Sequence, residues 1–183
     1  MTTRPTARLL TTALLLLGFA GPALSGPVED CRSTADMTNE ARLTACTAVI
    51  DGKEASGPDL AFAYYKRAMT ASANPKVDQA EVMADVSKAI DIDPKLMEAY
   101  AFRALGYNKA LQYDKAVADL SSAIAIAPDR WGLYSLRAMI NAQKKDAKAA
   151  IADYRSALAL NPPEASAAMI RQRLARLEPD SNQ

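Results

Sequence analysis

Apolar and small residues recur along this chain at the three-to-four-residue spacing of a helix face, in blocks that close on a proline. Ser56-Gly57-Pro58-Asp59 fits a capping box, a serine followed three residues later by an acid, and predicts a helix from there to about Ala73. Asn74-Pro75 should stop it, because proline cannot donate the next backbone hydrogen bond. A second helix is expected to run to about Asp91, and Asp93-Pro94 restarts the chain. Later helix pairs are expected at 95–110 with 113–126 and at 130–143 with 147–160.

The blocks are copies of one another. Tyr64, Tyr100 and Tyr134 each open the pattern Y-x-x-R-A, which supplies Arg67, Arg103 and Arg137. Each copy continues with A-D-x-x-x-A-[IL], which supplies Asp85, Asp119 and Asp153, and ends on Pro94, Pro128 or Pro162. The aspartates and the prolines both recur every 34 residues, the mark of a stacked repeat array. The first copy is longer: Arg67 to Asp85 spans 18 positions, and the later two span 16. Two extra residues inside a helix would rotate its buried face by roughly 200°, so the insertion belongs in the turn at Asn74-Pro75.

The flanks read differently. Pro27 to Asp36 is polar and predicts a loop. From about Asn39 to Asp51, Leu43, Cys46/Thr47 and Ile50 suit one helix face. Ala41 and Ala48 stand seven apart, as do Ala116 and Ala123, so this segment is expected to be the second helix of a truncated repeat. Over 164–177, Met169, Ile170, Leu174 and Leu177 form one apolar stripe, with Arg171, Arg173 and Arg176 off it, as in a terminal capping helix.

Composition narrows the chemistry. The 183 residues hold 22 basic and 21 acidic side chains, so no positive excess invites nucleic acid or an anionic membrane. Histidine is absent, which removes the commonest general base and metal ligand. Phosphate-loop, nucleophile-elbow and metal-cluster patterns are absent as well, so neither catalysis nor a cofactor is expected. Asp91-Ile92-Asp93 reads as a helix end, since the glycine and glutamate of a calcium loop are missing. Arg4 and Arg8 precede an apolar run, Leu9 to Ala20, and small residues follow at Ala23-Leu24-Ser25. Residues 1–25 thus read as a secretory signal, cleaved after Ser25 or Ala23, with an exported, most simply periplasmic, product that is not inserted in the membrane. In that compartment the only cysteines, Cys31 and Cys46, read as a disulfide, the alternative being two free thiols.

These motifs resemble the tetratricopeptide repeat, a 34-residue helix–turn–helix unit. Residues 97–130 and 131–164 fit without a gap, and 61–96 fit with the insertion. The small or apolar signature positions are Ala68, Val82, Val86 and Ala89, then Ala104, Ala116, Leu120 and Ala123, then Ala138, Ala150, Tyr154 and Ala157. The resemblance implies an all-α repeat solenoid: a disulfide-tied half-repeat over 26–56, three repeats and a cap over 165–178. It also implies that first helices line a concave groove. Its positions here would be Phe62, Tyr65 and Met69, then Glu98, Ala101, Leu105, Asn108 and Lys109, then Ser135, Met139 and Gln143. Family members that clamp a terminal carboxylate use lysines and asparagines there, and only Asn108 and Lys109 are of that type.

The expected function follows. The chain is read as a non-catalytic scaffold that binds another protein or peptide through a mostly apolar groove. Self-association of the repeats, with no separate ligand, is the alternative. Arg67, Arg103 and Arg137 are expected to pair with Asp85, Asp119 and Asp153, in their own or an adjacent repeat.

Overall fold

The computed structural model describes residues 26–33, 37–53 and 55–178; the expected leader, residues 1–25, lies outside them. Nine helices and no strand occur among the described residues: α1 (Pro27–Arg32), α2 (Asn39–Asp51), α3 (Gly57–Ala71), α4 (Gln79–Ile92), α5 (Met97–Lys109), α6 (Tyr113–Ile126), α7 (Trp131–Gln143), α8 (Ala147–Ala159) and α9 (Glu164–Ala175). Each packs chiefly on its chain neighbours, so the molecule is a solenoid of helix pairs: α3 with α4, α5 with α6, α7 with α8.

The alanines explain the close packing within pairs. Ala68, Ala104 and Ala138 on first helices, and Ala89, Ala123 and Ala157 on second helices, are fully buried. Val86, Leu120 and Tyr154 fill the space beside them, at 0 to 2% exposure. With no side chain beyond Cβ, two backbones approach and the larger residue interdigitates.

The turns inside the later two pairs are built alike. Leu111 and Lys145 take left-handed φ values of 58° and 68°. The Gln112 N–H reaches back to Tyr107 O at 2.9 Å, and the Asp146 N–H to Asn141 O at 2.8 Å. This is a Schellman closure, usually made with glycine. The first pair closes differently. Its turn occupies 72–78, against 110–112 and 144–146 later, and contains no left-handed residue. Asn74 Oδ1 accepts the Lys76 N–H, and Asp78 Oδ1 then caps α4 through the Ala80 N–H. The two extra residues thus fall between the helices, and α3 stops four residues after Arg67 where α5 continues six past Arg103.

Four local readings are corrected. Residues 27–32 are helical rather than a loop: Pro27 opens α1, and Glu29 and Asp30 favour the positive helix start. So short a helix does not persist alone; the Cys31–Cys46 disulfide, Cα–Cα 4.8 Å, ties it to α2. Ser56 precedes α3, but its side chain makes no capping bond. Ala41 and Ala48 are exposed, unlike Ala116 and Ala123, because α2 turns Cys46 and Val49 inward against Cys31 and Ala63. Met169 is 50% exposed, while Ile170, Leu174 and Leu177 pack against Ala138 and Tyr154. Consecutive residues point about 100° apart on a helix, and α8 covers only one side of α9.

Candidate functional site

The repeated arginines form a ladder along the array. Arg67 Nε and Nη2 donate to Asp85 at 2.7 and 2.8 Å. Arg103 holds Asp119 through two bonds of 2.8 Å, and Arg137 holds Asp153 at 2.9 and 2.7 Å. Every aspartate lies in the second helix of the same pair. The remaining nitrogen reaches backward: Arg103 Nη1 donates to Ser87 at 3.3 Å and Arg137 Nη1 to Ser121 at 2.9 Å, both on the preceding second helix. Asp51 stands 16 residues before Arg67, as Ser87 and Ser121 stand before their arginines, and its carboxylate acts on Arg67 through charge.

The tyrosine of each motif completes the rung. The guanidinium carbons of Arg67, Arg103 and Arg137 stand 5.5, 5.8 and 5.9 Å from the ring centres of Tyr64, Tyr100 and Tyr134. Tyrosine three residues before arginine lies on the same helix face, and its π face attracts the cation. Each guanidinium is held above its ordinary pKa, first by its aspartate hydrogen bonds and against the cost of burial. With its donors committed in this way, the ladder has little left to offer a ligand.

The groove positions are more open to one. The Phe62 and Tyr65 rings meet edge to face at 5.9 Å, and Tyr65 meets Phe102 at 6.1 Å, joining α3 to α5. Tyr65 Oη also reaches Met69 Sδ at 3.5 Å. Beside them Leu105 is 45% exposed. It lines a shallow pocket of about 170 Å³ with Ser72, Gln79, Phe102, Gly106 and Lys109. A Cβ on Gly106 would come 2.6 Å from Met83 Sδ of α4, so glycine lets that flexible side chain lie against α5.

Charge gathers at the end of this aromatic cluster nearest α1. Arg32 of α1 lies 4.9 Å from the Phe62 ring centre, and Lys66 lies 5.5 Å from it. Burial, then the neighbouring Arg42, depresses the Lys66 ammonium. Burial, then the Glu98 carboxylate, raises the Tyr65 phenol.

The other groove positions are less connected. Ala101 is half-buried, while Glu98 and Lys109 are exposed. Asn108 is half-buried, and its Oδ1 is buried without a hydrogen-bond partner. Ser135, Met139 and Gln143 lie one helix pair further along, on α7, and no ring contact or hydrogen bond joins them to the Phe62 cluster. Phe102 and Arg32 escaped the sequence reading. Phe102 stands beside a groove position rather than on one, and Arg32 was placed in a loop. Lys66 had a signal, standing four residues after Phe62. Among the described residues no group of three or more His, Cys, Asp or Glu is placed to hold a metal ion.

A family model described as tetratricopeptide repeat matches residues 105–175. No curated protein matches the chain in sequence. Among solved structures, the first such domain of Spaghetti (RPAP3), bound to the HSP90 peptide SRMEEVD, is similar with a TM-score of 0.56 and 22% identity, over 66% of this chain and 97% of that one. The Arabidopsis OM64 repeat domain is similar with a TM-score of 0.57 and 20% identity, over 65% and 97%. A repeat protein from Parabacteroides merdae reaches a TM-score of 0.64 at 16% identity, over 76% and 53%.

Proposed function

We propose that this chain, a tetratricopeptide repeat protein, is an exported, non-catalytic adaptor that binds an apolar or amphipathic segment of another protein on the face formed by α3 and α5. The observation that carries the proposal is the Phe62–Tyr65–Phe102 cluster with Leu105 half-exposed beside it. Aromatic rings supply large contact area at little entropic cost, and Met69 adapts to varied partners. Exposed apolar surface at one place is the usual sign of a recognition site. The reading divides the array into repeats at 61–96, 97–130 and 131–164, the half-repeat and cap closing its ends. That the similar Spaghetti domain carries a bound peptide supports a peptide-sized ligand.

Export is supported by the apolar leader, residues 1–25, and by the Cys31–Cys46 disulfide, a bond favoured outside the cytosol. Among the described residues no helix is long and apolar enough to cross a membrane. Sequencing the N-terminus of the periplasmic protein tests this; a product beginning at Gly26 is expected, and a retained Met1 would overturn it.

The binding test begins with affinity capture from a periplasmic extract. The captured partner is then titrated calorimetrically against wild type, Leu105→Glu and Met69→Glu. Loss of binding by the folded variants is expected. Unchanged binding in both would remove the groove from consideration.

A further inference from the structure

The two ends of the array are unlike, and they complement each other. At the α1 end an open hollow of about 550 Å³ lies beside α1 and α2. Its apolar floor is Met37, Ala41, Ala45 and Ala48, and Asp30 and Glu40 stand in its wall. At the other end α9 buries Ile170 against Tyr154 and turns Met169 outward, half-exposed. Arg173 and Arg176, four and seven residues on, stand on the same side of α9 as Met169, while Arg171 lies on the other side, paired with Glu164 at 2.8 Å. The charge of residues 26–183 follows the same division. Residues 26–102 carry 8 basic and 13 acidic side chains, and residues 103–183 carry 12 basic and 8 acidic.

We propose that the protein assembles head to tail, the α9 face of one copy seating Met169 in the α1–α2 hollow of the next. An apolar knob flanked by Arg173 and Arg176 meets an apolar hollow with Glu40 and Asp30 in its lining. Two identical ends brought together would oppose like charges, so the charge division selects the heterologous arrangement. A heterologous contact that does not close extends into a chain of copies. This surface is separate from the groove of the proposed function and leaves it open. A short array gains groove length by such stacking, and linked grooves bind a repeated or long partner more tightly than one does.

Light scattering after size exclusion, over a concentration series, tests the proposal with three proteins: wild type, Ala41→Arg and Met169→Glu. Both substituted residues are solvent-exposed, and circular dichroism verifies that the variants fold. Wild-type mass is expected to climb with concentration and to fall in about 1 M salt, where the screening length is about 3 Å. Each variant alone should run as a monomer at all concentrations. Mixed, they should form a one-to-one dimer and nothing larger, because each retains the end the other has lost. A wild type that stays monomeric at its highest soluble concentration would overturn the proposal. So would a mixture that stays monomeric, or a single variant that assembles as wild type does. Leu105→Glu should assemble normally; loss of assembly there would place the contact in the groove and overturn the end-to-end arrangement.

Discussion

Arg137 grips Asp153 through two parallel hydrogen bonds, at 2.9 and 2.7 Å, within a single helix pair. The Asp153 residue is only 6% exposed, so these two bonds, with a third from Asn141 Nδ2 at 3.3 Å, replace the water its carboxylate has lost. The same geometry at Arg67 and Arg103 makes the motif a structural staple, and the serine contact extends two of the staples to the preceding pair.

Removing one member of a rung should therefore cost more than the rung contributes. Arg103→Ala leaves Asp119, 7% exposed, without its main partner, and about 3 kcal/mol of stability should be lost. Arg103→Lys should recover only part, since an ammonium cannot make the paired contact. The double replacement Arg103→Met with Asp119→Leu should lose less than Arg103→Ala. Urea unfolding of these proteins and of the single variants Arg103→Met and Asp119→Leu measures this, and additive effects of the two singles in the double would show that the pair is not coupled.

The disulfide should act locally. Chain-entropy reasoning assigns about 3 kcal/mol to closing a loop of this length. In an array each unit contacts only its neighbours, so Cys46→Ser should release α1 and speed amide exchange in α1 to α3 while α5 to α8 keep their protection. Uniform loss of protection would contradict this.

Leu111 combines a left-handed backbone with 71% exposure. A residue with a Cβ is disfavoured there by about 1 kcal/mol, and glycine is not. Leu111→Gly should raise the thermal midpoint although it removes a side chain. A lowered midpoint would mean that Leu111 makes a contact worth more than its backbone costs.

The raised Tyr65 phenol gives a pH signature. Below the ordinary tyrosine pKa of 10.0 the ring is neutral folded and unfolded, and its contribution is fully present. Above it the unfolded phenol ionises first, so stability falls as pH rises toward the folded value. Ultraviolet titration should show a tyrosine ionising late, and Tyr65→Phe should remove that component and flatten the alkaline loss of stability.

The repeats were legible because their signals are local. A proline every 34 residues, alanines at helix-face spacing and an arginine with an aspartate in each copy dictate paired helices wherever the chain carries them. The two-residue insertion was placed by the same logic, since a helix cannot absorb it without turning its apolar face outward.

What tertiary structure decided were the choices between equivalent partners and the fate of the ends. Each arginine had an aspartate of its own pair or a neighbouring pair within conceivable reach; the folded geometry selects the former and gives the neighbour a serine. Helix α1 exists because Cys46 anchors it, and no short-range pattern in six residues announces that. Ala41 and Met169 match the spacing of buried positions yet remain outside. Helical periodicity specifies which residues share a face; burial also requires another element to cover it, and among the described residues none covers Ala41 or Met169.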